Sequence, residues 1–501
     1  MENFFRNKMQ ALKPVRTSVE GKYLKMTEKE EEPLSPWSSA FVKSESGVYV
    51  IAILGFKNRI NPSFFKDNLM HTLMRNPRFS SLQVIDDKDG KVKWIRTSVN
   101  VEDHVIVPQL NQEMGLSPHA FLEDYISNLS KTNLDISKPL WDFHILNLKT
   151  DDAESVCILR VHHALGDGFS LISLLLSSTH KVSDPEAFPS FPMKKKKEKY
   201  EEQNNLSYFA KCWLIFRFYW NSMVDVIMLI ATLFFFKDSK TPITNSTCRG
   251  SFGRRIVYKI FSLDDIKLVK NATNTTVNDV ITAVLQASLS RYLNRLYGDN
   301  NRATEENNNL PKRLNVRAAV PVALDLGLNA LRDRVEQNSN MGSNNFGFVF
   351  IPLRIAIKDD PLDYVRSAKA AMDRKKNSLE AIASATILKL LIYFFGIKGA
   401  SFMARKIPSQ TTMLLSNLPG PTEEIAWYGH PISFIAPTVY GAPKALTMHF
   451  QSYFNKMAIV LSVDESAIPN PHQLCTDFEE SLKLIKDAAI ARANNSDGAI
   501  N

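Results

Sequence analysis

The sequence lacks the features of a small cross-linked or repetitive protein. Its 501 residues include four widely spaced cysteines with no CxxC pair: Cys157, Cys212, Cys248 and Cys475. This spacing argues against a zinc module or a disulfide scaffold and is typical of a reducing compartment. Glycine, with 19 residues, is at about half of its usual share, and no internal repeat is found. Residues 1–26 contain no apolar run of the kind that forms a secretory signal.

The composition is otherwise that of a large globular protein. Hydrophobic residues make up 44% and charged residues 23% of the chain, which excludes the disordered, collagen-like and polytopic membrane classes. There are 61 Lys and Arg residues against 52 Asp and Glu residues, a net charge of +9. This balance favours an anionic partner such as nucleic acid, anionic lipid or a phosphorylated cofactor, without selecting among them.

Proline and lysine divide the chain into two halves. We predict a tail at 1–32, a first lobe at 33–184, a crossover at 185–245 and a second lobe at 246–494. The crossover begins with a proline-rich stretch and has five lysines within residues 194–199. Both features favour an exposed connection.

Apolar periodicity predicts an α/β protein. The predicted strands are 48–56, 155–163, 318–324, 346–355 and 457–463, with a hairpin at 86–94 that turns at Asp89-Gly90. The predicted helices are 62–75, 169–177, 276–296 and 471–494.

The sharpest feature is the motif HHALGDG at 162–168, where a strand meets a turn. Because side chains alternate along a strand, His162 and His163 lie on opposite faces and only one can face a given cleft. The same geometry excludes a metal site made of both histidines and Asp167. Gly168 and the glycine two residues before it permit a tight reversal. Asp167 is expected to be structural, holding the turn by hydrogen bonds or pairing with an arginine.

His163 is the candidate general base. A neutral histidine at a cleft can take a proton from a hydroxyl group near pH 7, because its ordinary pKa lies close to that value. The alternative is a core histidine satisfied by the backbone, which is the commoner role of a lone histidine. The complete motif, rather than the histidine alone, favours catalysis.

HHALGDG resembles the HHxxxDG motif of acyl-CoA-dependent acyltransferases with the chloramphenicol acetyltransferase type of fold. Five further segments resemble motifs of the wax ester synthase/diacylglycerol acyltransferase family, especially its plant branch: PLSPW at 33–37, PLWD at 139–142, Asn278-Asp279, GSNNFGFVFIP at 342–352 and SNLPGP at 416–421. The resemblance covers residues 33–490. The DFGWG motif of the plant BAHD acyltransferases is absent, and PVALD at 321–325 stands where family members often carry an Asn-Leu-Arg type of segment.

The resemblance implies a two-lobed α/β fold like that of chloramphenicol acetyltransferase, with mixed sheets, flanking helices and a channel between the lobes. It implies acyl-CoA as co-substrate with no bound cofactor, and a long-chain fatty alcohol or diacylglycerol as acceptor, giving wax esters and also triacylglycerol. His163 would be the base. By motif position, Asn278 or the pair Ser416 and Asn417 would stabilise the oxyanion, unless Asn278 is a helix cap and 417–420 only a turn. Trp141 of PLWD is expected to pack rather than to contact substrate.

Two other functions stay open. One is an HHxxxDG acyltransferase with a soluble alcohol or amine acceptor, and the other is a non-catalytic lipid-binding protein on the same scaffold. Nucleic-acid binding is poorly supported, because the lysines cluster beside a lipophilic segment rather than among exposed aromatic residues.

That lipophilic segment, 213–236, has the hydropathy of a transmembrane helix. However, Arg217, Asn221 and Asp225 stack on one helix face, and the stretch 226–236 without strongly polar residues is only 11 residues long. At 1.5 Å per residue it reaches ~16 Å, about half of a ~30 Å bilayer core.

A single crossing would also put His163 and the Asn278 region on opposite sides of the membrane. We therefore predict a surface-lying or re-entrant helix with both ends on the cytosolic face of the endoplasmic reticulum membrane or of the plasma membrane, with the lysines of 194–199 near anionic headgroups. The alternative is a helix buried in the protein's own core.

Overall fold

The structure is a computed structural model that describes residues 31–42, 47–85, 92–110, 116–190, 207–244, 253–298, 308–324, 344–442 and 444–498. The helices are α1 (Pro36–Val42), α2 (Pro62–His71), α3 (Pro118–Leu129), α4 (Gly168–Ser177), α5 (Tyr208–Phe234), α6 (Leu263–Ala272), α7 (Val277–Tyr297), α8 (Leu362–Lys376), α9 (Glu380–Phe395), α10 (Ile397–Gln410) and α11 (Pro471–Gly498). The strands are β1 (Glu31–Pro33), β2 (Tyr49–Phe56), β3 (Ser81–Ile85), β4 (Val92–Arg96), β5 (Val105–Ile106), β6 (Trp141–Leu146), β7 (Ser155–His162), β8 (Thr179–Lys181), β9 (Arg255–Ser262), β10 (Val316–Ala323), β11 (Phe346–Leu353), β12 (Met413–Leu418), β13 (Ile425–Trp427), β14 (His430–Tyr440), β15 (Leu446–Tyr453) and β16 (Lys456–Val463).

Two mixed sheets form the two lobes, as the predicted fold class requires. The first sheet has seven strands in the order β5-β6-β7-β2-β14-β13-β8, and the second has six in the order β11-β10-β12-β15-β16-β9. In the first sheet, β2 and β7 run antiparallel with Tyr49 opposite His162. A small third sheet, β1-β4-β3, contains the predicted hairpin strands, whose turn lies outside the described residues.

Helices pack on both faces of the second sheet at β11, whose residues alternate between two cores. On β11, Val349 and Ile351 pack into one core with α7, α8 and α11. The intervening Phe348 and Phe350 pack into a separate core with α9, α10 and α1. This period of two is the alternation expected of a strand buried on both sides.

The two lobes exchange segments, which the predicted division of the chain did not include. Strands β13 and β14, at 425–440 in the predicted second lobe, complete the first sheet, where β14 pairs with β2. Conversely, Trp37 of α1 stacks on Phe346 of the second sheet, with ring centroids 4.9 Å apart. The exchange follows from β2: with both faces buried, its edge requires a backbone partner, and β14 supplies it.

Most predicted elements are present with small changes at their ends. The strands at 49–56, 155–162, 316–323, 346–353 and 456–463 and the helices at 168–177, 277–297 and 471–498 agree with the predictions. The helix expected at 62–75 ends at His71, and a separate 3-10 turn covers Leu73–Arg75. The lysine run at 194–199 lies outside the described residues.

Helix α5 lies on the second lobe with its polar side inward. Asn221 and Asp225 are buried, and Oδ1 of Asp225 accepts hydrogen bonds from Arg374 Nη2 at 2.7 Å and Lys375 Nζ at 3.0 Å. The opposite side exposes large apolar side chains, among them Trp213, Ile215, Phe216, Tyr219, Trp220, Met223, Ile227 and Ile230. The helix is long and apolar enough to cross a membrane, and α8 with α9, bent by 51°, passes the same test as a pair. Because only one side is covered, α5 is not a helix of the protein's own core.

Gly55 allows β14 to pack on β2. It lies opposite Phe434 in the strand register, and a Cβ atom at position 55 would be 2.2 Å from Cε1 of the Phe434 ring. The same ring stacks on Tyr258 of β9 with centroids 5.3 Å apart. One aromatic side chain therefore joins the exchanged strand to both sheets.

We expect Gly55→Ala to destabilise the protein, because the new methyl group and the Phe434 ring would overlap. Overpacking of this kind costs about 1–3 kcal/mol, which the free energy of unfolding in urea measures. Adding Phe434→Leu should give a double variant that loses less than the sum of the single losses, because the smaller side chain makes room. Additive losses would contradict the contact.

Candidate functional site

A cavity of about 830 Å³ lies between the two sheets. One wall consists of alternate residues of β2, whose other face packs into the first core: Val50, Ala52 and Leu54 face the cavity, while Ile51 and Ile53 face the core. The second sheet contributes residues of β10, β11, β12 and β15 to the opposite wall. The cavity is thus a product of the strand exchange and belongs to neither lobe alone.

His163 is at the wall of this cavity, and His162 points away from it. His163 follows the last residue of β7 and lines the cavity together with Leu159 and Val161, the face that strand alternation predicted. His162 is buried in the first lobe, where its Nδ1 accepts a hydrogen bond from the backbone N–H of Ala164 at 3.2 Å. Burial, together with the adjacent His163, lowers the pKa of His162 to about 3.

The His163 side chain is half-buried at the cavity wall. Its ring lies 4.6 Å from the ring of Phe41, and its Nδ1 atom is buried without a hydrogen bond to any other described residue. Desolvation by burial lowers the pKa of His163, and the backbone of His163 itself, the charge of Asp167 and the Asn344 side chain oppose this effect only in part. The imidazole is therefore neutral at pH 7 and able to accept a proton.

Residues distant in sequence hold the turn that contains His163. The side-chain amide of Asn344 donates to the carbonyl oxygen of His163 at 2.9 Å and to Ser38 Oγ at 2.8 Å. Ser38 Oγ in turn donates to the next carbonyl of the turn, that of Ala164, at 3.0 Å. Ser38 directly follows the PLSPW motif and Asn344 belongs to GSNNFG, so residues of both segments meet at HHALGDG.

Asp167 and Gly168 form the start of α4. Asp167 is the N-cap, and its carboxylate accepts the backbone N–H of Ser170 at 2.8 Å. A Cβ atom at Gly168 would be 2.8 Å from Cδ1 of Leu418 on β12, so the glycine allows the second lobe to approach the turn. The expected structural role of Asp167 is consistent with this placement.

The three oxyanion candidates come close together, at one edge of the cavity. Ser416 and Asn417 line the cavity as residues of β12, so they are not part of a mere turn. Asn278 is exposed and is not among the described residues that line the cavity, but its Oδ1 accepts a hydrogen bond from Nδ2 of Asn417. It is not the helix cap either, since Thr276 caps α7 in a capping box with Asp279.

The remaining motif residues have structural roles or border the cavity. Trp141 is buried and donates from Nε1 to the carbonyl oxygen of Phe79 at 2.9 Å, as the packing interpretation predicted. Pro321 and Ala323 of the atypical PVALD segment line the cavity, and its Asp325 lies outside the described residues.

Sequence reasoning missed several residues of the site. His449 lies directly opposite Ser416 in the parallel pair of β12 and β15, lines the cavity, and has Nδ1 3.1 Å from Thr438 Oγ1. Burial lowers its pKa to about 3. The buried Arg78 donates to the carbonyl oxygen of Leu165 in the turn at 3.1 Å. The period-two pattern of 446–453 could have revealed His449, whereas nothing local marks Arg78, Ser38 or Asn344.

The chain is similar in sequence to known acyltransferases over most of its length. Residues 34–281 match the wax ester synthase/diacylglycerol acyltransferase catalytic domain, and residues 342–486 match the WS/DGAT C-terminal domain. Wax ester synthase/diacylglycerol acyltransferase 5 of Arabidopsis thaliana is 44% identical over 484 residues, covering 92% of this chain and 94% of that protein.

Two solved structures share the fold at low sequence identity. The wax ester synthase/diacylglycerol acyltransferase from Marinobacter aquaeolei VT8 is 17% identical, with a TM-score of 0.59 over 91% of this chain and 100% of that chain. The first condensation domain of the calcium-dependent antibiotic synthetase is 12% identical, with a TM-score of 0.56 over 92% of this chain and 97% of that chain. The two-lobed fold is therefore common to both.

We expect Asp167→Ala to lower the free energy of unfolding by about 1 kcal/mol, the usual loss for an N-cap replaced by alanine. Asp167→Asn is the matched control, because an asparagine oxygen can also accept the N–H of Ser170. Chemical denaturation of both purified variants measures the difference. An equal loss in the two variants would show that the charge of Asp167, and not its capping oxygen, stabilises the turn.

Proposed function

The chain belongs to the wax ester synthase/diacylglycerol acyltransferase family and is an acyltransferase, and on that premise we propose that it esterifies long-chain fatty alcohols with acyl-CoA. Diacylglycerol is a further proposed acceptor, giving triacylglycerol. The observation that carries the proposal is a neutral, half-buried imidazole at the wall of a large, mainly apolar cavity between the lobes.

His163 acts as the general base in the proposed reaction. Because Nδ1 is buried, Nε2 is the nitrogen available to a substrate. It takes the hydroxyl proton of the alcohol while the oxygen attacks the thioester carbonyl carbon. When the tetrahedral intermediate collapses, the carbon–sulfur bond breaks and the imidazolium returns the proton to the CoA thiolate. The products are an ester and free CoA, with no acyl-enzyme.

The tetrahedral intermediate carries a negative oxygen that needs hydrogen-bond donors. We assign this role to Ser416, which lines the cavity opposite His449 in the strand register. The Asn417 side chain, one residue further along β12, points to the other face of the strand and bonds to Asn278. Asn278 acts through this hydrogen bond to Asn417, so both are positioning residues in this scheme. His162 and Asp167 support the turn and do not transfer protons.

An apolar acceptor is favoured over a soluble one by the walls of the cavity. Val50, Ala52, Leu54, Leu159 and Val161 present methyl groups to it. Hydrocarbon chains gain free energy from contact with such a surface, whereas a polar acceptor would lose hydrogen bonds to water.

We expect His163→Ala to abolish ester formation from hexadecanol or diacylglycerol and palmitoyl-CoA, because general bases contribute about 10²–10⁴-fold to rate. Product analysis by mass spectrometry, with both acceptors offered together, measures this loss and the acceptor preference. His71→Ala on the exposed end of α2 is the matched control. Circular dichroism shows whether the variant remains folded.

Retained activity in folded His163→Ala protein would remove His163 from its role. Ester formation by the wild type only with short, soluble alcohols or amines would identify the rival acceptor class, and no turnover with any acceptor would favour a lipid-binding protein.

We also propose that the exposed apolar side of α5 lies on the cytosolic face of the endoplasmic reticulum membrane, or of the plasma membrane. Two observations support a surface orientation over a span. Asp225 would leave Arg374 and Lys375 if α5 crossed the bilayer, and a buried ion pair is costly to break. The end of α9 also exposes Tyr393, Phe394 and Phe395. An exposed patch of this size marks a membrane or protein contact.

We expect Phe216→Glu to reduce binding to phospholipid vesicles in a co-sedimentation assay, because a charge cannot enter the acyl-chain region. Phe64→Glu on α2 is the matched control, since Phe64 is 49% exposed and Phe216 56%. Equal losses in both variants, or wild-type protein that stays in membranes after alkaline carbonate extraction, would contradict a surface-lying helix.

A further inference from the structure

One end of the cavity differs in character from its apolar walls. It is formed by the segment after α5, the last turns of α10 and the residues directly before β9 and before β15. The backbone N–H of Asp238 donates to the carbonyl oxygen of Gln410, and Arg254 Nη2 donates to that of Ala442, so these segments lie together. Five basic side chains border it: Lys237, Lys240, Arg254, Arg405 and Lys444. We call these five residues the basic mouth. Among the described residues that line the cavity, the acidic ones are Asp167 and Asp238.

Neither carboxylate neutralises the basic mouth. Asp167 caps α4. Asp238 is occupied by Arg317, whose Nε donates to Oδ1 at 2.6 Å and whose backbone N–H donates to Oδ2 at 2.7 Å. Thr412 Oγ1 donates to the same Oδ2 at 2.7 Å. The mouth therefore has an excess of positive charge facing the cavity.

Lys444 is the member that most requires an anion. The residue is 9% exposed and lines the cavity, and its ammonium group has no hydrogen bond or ion pair with any described side chain. Desolvation lowers its pKa to about 7, and Asp238 offsets this only in part. Holding an ammonium group out of water without a partner is unfavourable, and a phosphate bound beside it would offset that cost.

We propose that the basic mouth binds the phosphates of the CoA nucleotide, with Lys444 as the buried contact and Lys237, Lys240 and Arg405 around it. The inference rests on the proposed acyl-CoA chemistry and assigns the donor a direction in the cavity. The nucleotide lies at the basic mouth, and the thioester extends along the apolar walls towards His163. Lysines bind phosphate as point charges, which suits a diphosphate and a separate 3′-phosphate.

A lipid headgroup is the other source of phosphate near this surface. Phe234, Phe235 and Phe236 are exposed immediately before Lys237 and belong to the apolar end of the α5 segment. A headgroup could reach the exposed lysines there. Lys444, however, is buried beside the cavity, which favours a ligand that enters it.

The test compares donors with and without phosphates. In Lys444→Gln, the KM for palmitoyl-CoA should rise about tenfold or more, the size expected for a lost charge-assisted hydrogen bond, while the KM for hexadecanol stays unchanged. With palmitoyl-pantetheine, which has no phosphate, Lys444→Gln and wild type should have the same KM. Lys267→Gln on exposed α6 removes one positive charge elsewhere and should behave as wild type with both donors.

An equal effect of Lys444→Gln on both donors, or no effect on either, would overturn the assignment. If Lys444→Gln does not fold, the exposed Lys237→Gln/Lys240→Gln double variant carries the same comparison. Calorimetric titration of CoA into the full-length protein measures binding without turnover. If CoA affinity depends on Lys444 but the protein makes no ester, the proposed function is refuted and the phosphate-binding role of the basic mouth is not. If Lys444→Gln or the double variant binds phosphatidylserine vesicles less well but keeps its CoA affinity, the basic mouth binds headgroups and the inference is refuted.

Discussion

The pairing of β14 with β2 is the constraint on which the rest of the molecule depends. From His430 to Tyr453 the chain runs through β14 in the first sheet and then β15 in the second, so one continuous segment belongs to both lobes. This segment fixes how far apart the sheets stand and leaves the cavity between them. His163 and Ser416, which come from different lobes, face the same space only because of that spacing.

The sequence predicted those parts of the fold that local patterns determine. The apolar runs of β2 and β7, the periodicity of α7, and the face on which His163 lies all follow from spacing between near neighbours, and the structure confirms them. Which sheet receives β14 depends on a partner almost 400 residues earlier, and no local pattern records it. The helix α9 was missed for a related reason: it is apolar around most of its circumference and has little amphipathic periodicity to detect.

The site divides in the same way. HHALGDG contains the residues that form its own turn, two glycines and a capping carboxylate, so it can be recognised from the sequence alone. Asn344 and Ser38 act through hydrogen bonds to backbone carbonyl oxygens, which any sequence provides, so their importance is visible only once the turn and the two segments are placed together. For Asn278, motif position indicated the right neighbourhood, but the side chain reaches the cavity wall through Asn417 rather than directly.

The helix α1 has a consequence for how the protein is made. Trp37 Nε1 donates to the carbonyl oxygen of Phe346 at 3.1 Å, a contact between residues 309 positions apart. Ribosomes add about 5–20 residues per second, so Trp37 waits on the order of 15–60 s before its partner is even synthesised. During that interval the second sheet cannot cover the apolar rings of Trp37 and Phe41. Exposed apolar side chains of this kind are the surface that chaperones bind on a nascent chain. The cavity, which needs residues of both lobes, therefore cannot form until translation is nearly complete.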